Sequence, residues 1–350
     1  MNMVYMKLGD ICSPKQWKTI STSELTSEGY PVYGANGIIG YYKEFNHIKE
    51  TILVTCRGAT CGSVNITRPY SYVNGNAMAL DNLDERFDIN YLYFYLSYRG
   101  FNDVISGSAQ PQIIRSAIEK ILIPLYPIEQ QRKIASLFIK INNIHDLYRK
   151  ENDRLDELIK SRFVVMFGDP VSNPLKWTKK SLKDVCIKLN DGTHFSPESF
   201  ETGEYRYVTA KNIKRSGFDF TNITYVSEKV HRPIYERCNP EKGDVLYIKD
   251  GVTTGIAMVN TLEDEFTLLS SVALLKQDRK IMNGYFLASL LNDKNMYSDI
   301  RGNMGGAAIT RLTIAKLNTI KVIVPPIELQ NQFAEFVIEV DKLKVSVSWI

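Results

Sequence analysis

Lys120-Ile-Leu-Ile-Pro-Leu-Tyr-Pro-Ile-Glu-Gln-Gln-Arg-Lys-Ile-Ala135 returns late in the chain as Thr319-Ile-Lys-Val-Ile-Val-Pro-Pro-Ile-Glu-Leu-Gln-Asn-Gln-Phe-Ala334. Both stretches read alike: a short β-branched strand runs into proline, and a helix begins at Pro127 or Pro326. Proline has a fixed φ and no N–H, which suits a first helical turn, and the glutamate two residues on meets the positive end of the helix dipole. Further upstream, Arg57-Gly-Ala-Thr-Cys-Gly62 faces Asp250-Gly-Val-Thr-Thr-Gly255, and Leu8-Gly-Asp-Ile-Cys12 faces Leu182-Lys-Asp-Val-Cys186. The order is kept while the offset grows from 174 to 193 to 199 residues, so the second copy carries insertions. Solenoid repeats run only about 20–50 residues. The pattern is therefore one domain duplicated.

Each copy carries strand signals, Thr51-Ile-Leu-Val-Thr55 and Asp244-Val-Leu-Tyr-Ile248, among Gly and Asn turns. An aromatic-aliphatic stretch follows, Tyr91 to Tyr98 and Tyr285 to Leu291, with the spacing of a buried helix. Next come the turns Gly107-Ser-Ala-Gln-Pro111 and Gly305-Gly-Ala-Ala308. In the helix after Pro127, apolar residues recur in steps of three and four: Ile134, Leu137, Ile141, Ile144, Tyr148, Leu155, Leu158 and Val165. Charged residues crowd the other faces, so the pattern predicts a heptad seam ending at Gly168-Asp-Pro170. About 40 residues at 1.5 Å each make a rod of ~60 Å, too long to fold back into one small domain. The second copy repeats the seam with Leu329, Phe333, Phe336, Val340, Leu343 and Val347, but Val345 to Ile350 is expected to lose helical character. A shortened second helix is expected to leave Leu155, Leu158 and Val165 unpaired. The fold class is α+β, with two tandem mixed β-rich domains at 1–126 and 169–325, a helical spacer at 127–168 and a terminal helical region at 326–350.

The 350 residues are 44% hydrophobic and 23% charged, which excludes a disordered or fibrous chain. No apolar run approaches the roughly 18 residues of a membrane span, and Met1 to Asp10 lacks a signal-peptide layout. Five cysteines, odd in number and widely spread, point to a reducing, cytoplasmic setting rather than a disulfide scaffold. Net charge is only +4. Residues 1–126 are neutral, whereas 169–326 carry the basic surplus, including Arg206, Lys211, Lys214 and Arg215 interleaved with Tyr205, Tyr207 and Asn212. Such side chains reach phosphates and base edges, although composition alone favours a solvated lysine-rich loop, and only the architecture raises the DNA reading above it.

No phosphate-binding loop, dinucleotide fingerprint or nucleophile elbow is present. The histidines His47, His145, His194 and His231 have no ligand spacing. Glu241, Asp244 and Lys249 have the types of a metal-nuclease cluster, yet the equivalent stretch Lys49 to Cys56 of the first copy carries Glu50 and no matching Asp.

Taken together, the paired Pro-Ile-Glu helices, the junction Leu155-Asp-Glu-Leu-Ile-Lys-Ser-Arg-Phe-Val-Val-Met-Phe-Gly-Asp-Pro170 and the recurring glycine turns resemble the specificity (S) subunits of type I restriction–modification enzymes. The resemblance covers essentially the whole chain. It implies two target-recognition domains, each reading half of a split, asymmetric site in double-stranded DNA, and two helical regions pairing as an antiparallel coiled coil. That coil sets the gap and docks methyltransferase (M) subunits, which recruit restriction (R) subunits. The chain itself would be non-catalytic and hold no cofactor, with S-adenosylmethionine, ATP and Mg bound by the partner subunits. A coiled-coil scaffold that never touches DNA, or a divergent nuclease or methyltransferase, are the alternatives. Candidate DNA-reading residues are Asn36, Arg57, Asn74, Asn76 and Gln110 in the first domain. In the second they are Arg206, Lys211, Asn212, Lys214, Arg215 and Lys249.

Overall fold

A computed structural model describes residues 4–107, 110–302 and 311–348. The chain divides into two compact units, Met1–Leu147 and Tyr148–Ile350, and the helix Ile128–Phe167 runs through the boundary between them.

In the first unit, a four-stranded antiparallel sheet has the order Ser13–Gln16, Ala77–Asp81, Ile52–Thr55, Val64–Ile66. A three-stranded sheet has the order Gly37–Tyr42, Tyr30–Gly34, Tyr72–Val73, with its last pair parallel. The strand Ile52–Thr55 is buried along its whole length. Its side chains alternate between two cores. Ile52 and Val54 join Leu92 and Leu96 of the helix Ile89–Arg99, whereas Leu53 joins Tyr33 and Val73 of the smaller sheet. A short continuous apolar run is thus a strand covered on both faces.

The second unit repeats this plan. Its four-stranded sheet runs Cys186–Asp191, Val272–Gln277, Val245–Ile248, Ala257–Val259, and its three-stranded sheet runs Thr224–Val226, Tyr205–Val208, Phe266–Leu268. Val245 and Tyr247 pack with Leu287 and Leu291 of the helix Gly284–Asn292, while Leu246 and Ile248 pack with Val208 and Phe266. The growth in offset also has a structural origin. The helix Glu228–Arg237 precedes Val245–Ile248, and the helix Lys294–Gly302 follows Gly284–Asn292; neither has a helical counterpart among the described elements of the first unit.

The quoted motif owes its constancy to a buried glutamine. Gln131 is fully buried; its Oε1 accepts from Asp88 N (2.9 Å) and its Nε2 donates to the carbonyls of Arg86 and Tyr126 (both 2.8 Å). Asp88 in turn caps the helix Ile89–Arg99 through Asn90 N and Tyr91 N. Gln330 does the same in the second unit, accepting from Asn283 N (2.9 Å) and donating to Ile281 O (3.1 Å) and Pro325 O (2.8 Å). Asn283 caps Gly284–Asn292. In each copy one amide therefore ties a core helix to the helix that begins after proline.

The helical seam differs from the heptad expectation. Within the second unit, Phe163 lies edge-to-face on Phe333 (5.5 Å between centroids), Arg162 over Phe336 (5.7 Å), and Lys344 Nζ 2.6 Å from Asp156. Numbers fall along the central helix as they rise along Ile327–Ser348, so the two run antiparallel. The buried line follows Leu155, Phe163 and Phe167 with Ile159 and Met166 beside it, against Phe333, Val337 and Val340. Leu158 and Val165 are exposed, Val165 by 76%. The inward positions 155, 159, 163 and 167 step by four rather than by the alternating three and four of a 3.5-residue seam. Leu155, expected to lie unpaired, is buried. Ile134 packs against the first unit's core instead, Tyr148 and Phe336 are half-buried, and Leu343 is exposed. The exposed apolar stretch is earlier than expected, at Leu137, Ile141, Ile144 and Leu147. Helical character continues through Ser348, beyond the expected loss at Val345. Trp349, Ile350, Ser108, Ala109 and the turn at 305–308 lie outside the described residues.

Replacing Gln131 with Met strands one buried N–H and two carbonyls, each costing about 1–3 kcal/mol; chemical denaturation of the first unit is expected to shift accordingly. Phe333→Ala is expected to cost about 3–5 kcal/mol, and Val165→Ala no more than about 0.5 kcal/mol, by the same measurement.

Candidate nucleic-acid interface

The hairpin turn between Ile52–Thr55 and Val64–Ile66 gathers most of the first-domain candidates. It is closed by Gly62 N to Thr55 O (2.8 Å) and Cys61 N to Gly58 O (3.0 Å). Gly58 and Gly62 both have positive φ, +91° and +94°, which a side chain would strain. The segment after the Gly107 turn buttresses the base, with Gly58 N to Pro111 O (3.1 Å) and Ile113 N to Cys56 O (3.0 Å). Arg57 is exposed there, opposite Gln112. Asn36, exposed on the neighbouring hairpin, accepts a 2.6 Å bond from Thr60 of the turn. Asn76 is exposed, and its carbonyl meets Cys56 N at 3.4 Å. Gln110 is also exposed. Asn74 is not available: it is buried, bonded through its side chain to both Ile20 N and Ile20 O. It serves as a turn-stabilising amide, so the DNA-reading assignment does not stand.

The second unit builds the same turn between Val245–Ile248 and Ala257–Val259. Gly255 N donates to Ile248 O (2.8 Å), Thr254 N to Gly251 O (3.1 Å) and Leu312 N to Lys249 O (2.8 Å). Asp250 stands opposite Arg311, with Arg311 Nε 3.4 Å from Asp250 Oδ2. Tyr297 packs against Gly255; the Arg215 guanidinium lies 5.9 Å above its ring and Arg301 donates to its hydroxyl (2.7 Å). Lys211 and Lys214 are exposed nearby in sequence, Lys214 3.8 Å from Asp219.

Three further assignments change. Lys249 is 2% exposed and lies 3.1 Å from Asp191, itself met by His194 and Arg237. Asn212 is buried, accepting from Thr209 N (3.0 Å) and donating to Asp219 O (3.1 Å). Both are internal supports. Arg206 is half-buried, ion-paired with Asp264 (3.3 Å) and stacked on Phe220; it belongs to an acidic neighbourhood with Glu204 and Glu265 rather than to a basic patch. Tyr205 is occupied too, stacked on the buried His231 at 3.9 Å, and Tyr207 is buried. The strand Tyr205–Val208 passes from half-buried at Tyr205 and Arg206 to buried at Tyr207 and Val208, which a charge count does not register.

Glu241, Asp244 and Lys249 do not form a common site. Glu241 and Asp244 share Lys276 (2.7 and 3.4 Å), while Lys249 is paired with Asp191. The Lys276 hydrogen bond holds Glu241 below the usual carboxylate range, and burial raises Asp244. Burial likewise pushes the Cys12, Cys186 and Cys238 thiols up to about 12, far from thiolate reactivity. Among the described residues no group of three or more His, Cys, Asp or Glu is arranged to hold a metal, and no helix is long and apolar enough to cross a membrane.

Composition and clustering did not single out Gln112, Tyr297, Arg301 and Arg311. The duplication held the signal for two of them, since the 199-residue offset that joins Pro127 to Pro326 also joins Gln112 to Arg311.

The family described as "Type I restriction modification DNA specificity domain" matches residues 1–157 and again 174–347. The chain belongs to that family. Among related specificity subunits, the type I restriction enzyme MjaIX specificity subunit of Methanocaldococcus jannaschii is 23% identical over 313 residues, covering 83% of this chain and 70% of the relative. The MjaVIII specificity subunit of the same organism is 19% identical over 319 residues, covering 86% and 74%. The fold is similar to that of the crystallised type I restriction–modification S subunit from M. genitalium, with TM-score 0.62, 18% identity, and 99% of this chain and 91% of that one covered.

Replacing Lys249 with Met breaks a buried ion pair. Because Arg237 and His194 still meet Asp191, the cost is expected near the low end for such changes, about 3 kcal/mol, read as a lowered denaturation midpoint. Lys211→Ala is expected to leave that midpoint unchanged.

Proposed function

We propose that this specificity-family chain is the DNA-reading subunit of a type I restriction–modification complex and reads a bipartite, asymmetric target. The observation that carries the proposal is the repetition, in one chain, of a domain whose rim turn is kept in backbone and changed in charge. One copy presents Arg57 and Gln112, the other Asp250 and Arg311. Two copies of one scaffold with different exposed side chains suit two different half-sites.

In this proposal, residues 1–126 and 169–325 are the reading domains, and the helical regions 127–168 and 326–350 set the gap between half-sites. Methyltransferase subunits dock on the helices, for which the exposed Leu137, Ile141, Ile144 and Leu147 supply an apolar face, and restriction subunits join through them. The chain performs no catalysis; adenine methylation and ATP-driven cleavage belong to its partners. Its near-neutral first domain fits this division of labour, because phosphate contacts dominate DNA affinity and partner subunits supply many of them.

The test is long-read sequencing of modified bases in cells expressing the chain with its methyltransferase partner. A new bipartite methylated motif is the expected result. An assembled complex that leaves the genome without such a motif would favour a scaffold and reject the reader.

A further inference from the structure

Among the described residues, the turns at 57–62 and 250–255 share the hydrogen bonds that close them. Cys61 N to Gly58 O and Gly62 N to Thr55 O in the first unit match Thr254 N to Gly251 O and Gly255 N to Ile248 O in the second. Ile113 N to Cys56 O matches Leu312 N to Lys249 O. Gly58 and Gly251 have the same positive φ (+91° and +101°), and a Cβ on either would meet nothing within 4 Å, so both tips face open space. What differs is the outward chemistry. Arg57 becomes Asp250, Ala59 becomes Val252 at a tip 94% exposed, and Gln112 becomes Arg311. A partly exposed ion pair at 3.4 Å such as Asp250–Arg311 contributes little to stability, and the backbone hydrogen bonds above close the turn without it.

We infer that the cross-turn pairs Arg57/Gln112 and Asp250/Arg311 are specificity-determining contacts, one pair for each half-site; this rests on the DNA-reading proposal above. An arginine presents two parallel donors to the O6 and N7 acceptors of guanine, and a glutamine amide matches the N6 donor and N7 acceptor of adenine. Arg57 and Gln112 offer both functions side by side across one backbone bridge. In the second turn the Asp250 carboxylate approaches Arg311 at Nε (3.4 Å), an ion pair that restrains the guanidinium. Asp250 is thus a positioning residue and Arg311 the base-contacting one. The two turns read different bases because one arginine stands on the hairpin strand and the other on the buttressing segment.

The experiment compares methylated motifs by sequencing genomes from cells carrying the chain and its methyltransferase partner, for the unaltered chain and for Arg57→Ala, Gln112→Ala, Asp250→Ala and Arg311→Ala. Expected is a loss of discrimination of about tenfold at one or two base pairs. Changes at 57 and 112 act in one half-site only, and changes at 250 and 311 in the other only. Arg57→Lys and Arg311→Lys, which keep the charge and disturb folding least, are expected to lose the same discrimination. A motif read by the unaltered chain but unchanged in every variant would overturn this inference and leave the reader proposal standing. Uniformly weaker methylation of an unaltered motif would also overturn it, marking the arginines as phosphate contacts. No motif from the unaltered chain rejects both.

Discussion

A glutamine side chain with no access to water stands at the joint of each half of this protein. Gln131 and Gln330 each satisfy a cap residue's N–H and two loop carbonyls at once, where core helix, final strand and outgoing helix meet. A buried amide partnered on both its oxygen and its nitrogen confers direction as well as stability, because a half-satisfied one is worse than a hydrocarbon. Everything beyond that joint inherits its orientation from it: the strand before proline, the helix after it, and the aromatic packing around Phe163, Phe167 and Phe333.

Much of this was legible in the sequence because duplication prints each constraint twice. The proline-glutamate helix starts, the strands and the glycine turns recur because the same backbone geometry recurs. Where only one copy carried a signal, the reading was weaker. A 3.5-residue rule places Leu158 and Val165 on the seam of the central helix, whereas its inward line steps by four through Leu155, Ile159, Phe163 and Phe167. The candidate site divided along the same line. Arg57 and Asn36 were found through their glycine turn. Lys249, Asn212 and Asn74 looked identical to surface residues of the same type, and only tertiary contacts reveal that they are ties within the fold. Side-chain chemistry is visible in a sequence; the side of a strand on which it falls depends on a register of one residue.

Charge illustrates the same limit. Several basic groups of the second half are tied into ion pairs, with Asp191, Asp244, Glu241 and Asp264. Near the second turn, the Arg215 and Arg301 guanidinium groups lie 5.9 and 5.3 Å from the centre of the Tyr297 ring. Recognition by such a surface depends on placement more than on bulk field.

The central helix carries a last consequence. Its ends are locked, by Gln131 at one and by Phe163 and Phe167 at the other, but the exposed stretch from Leu137 to Leu147 contains Asn142, Asn143 and His145, weak helix formers. Helix without tertiary support is marginal. The middle of the helix is therefore held by its backbone hydrogen bonds more than by packing, and it is the part of the rod where local opening costs least.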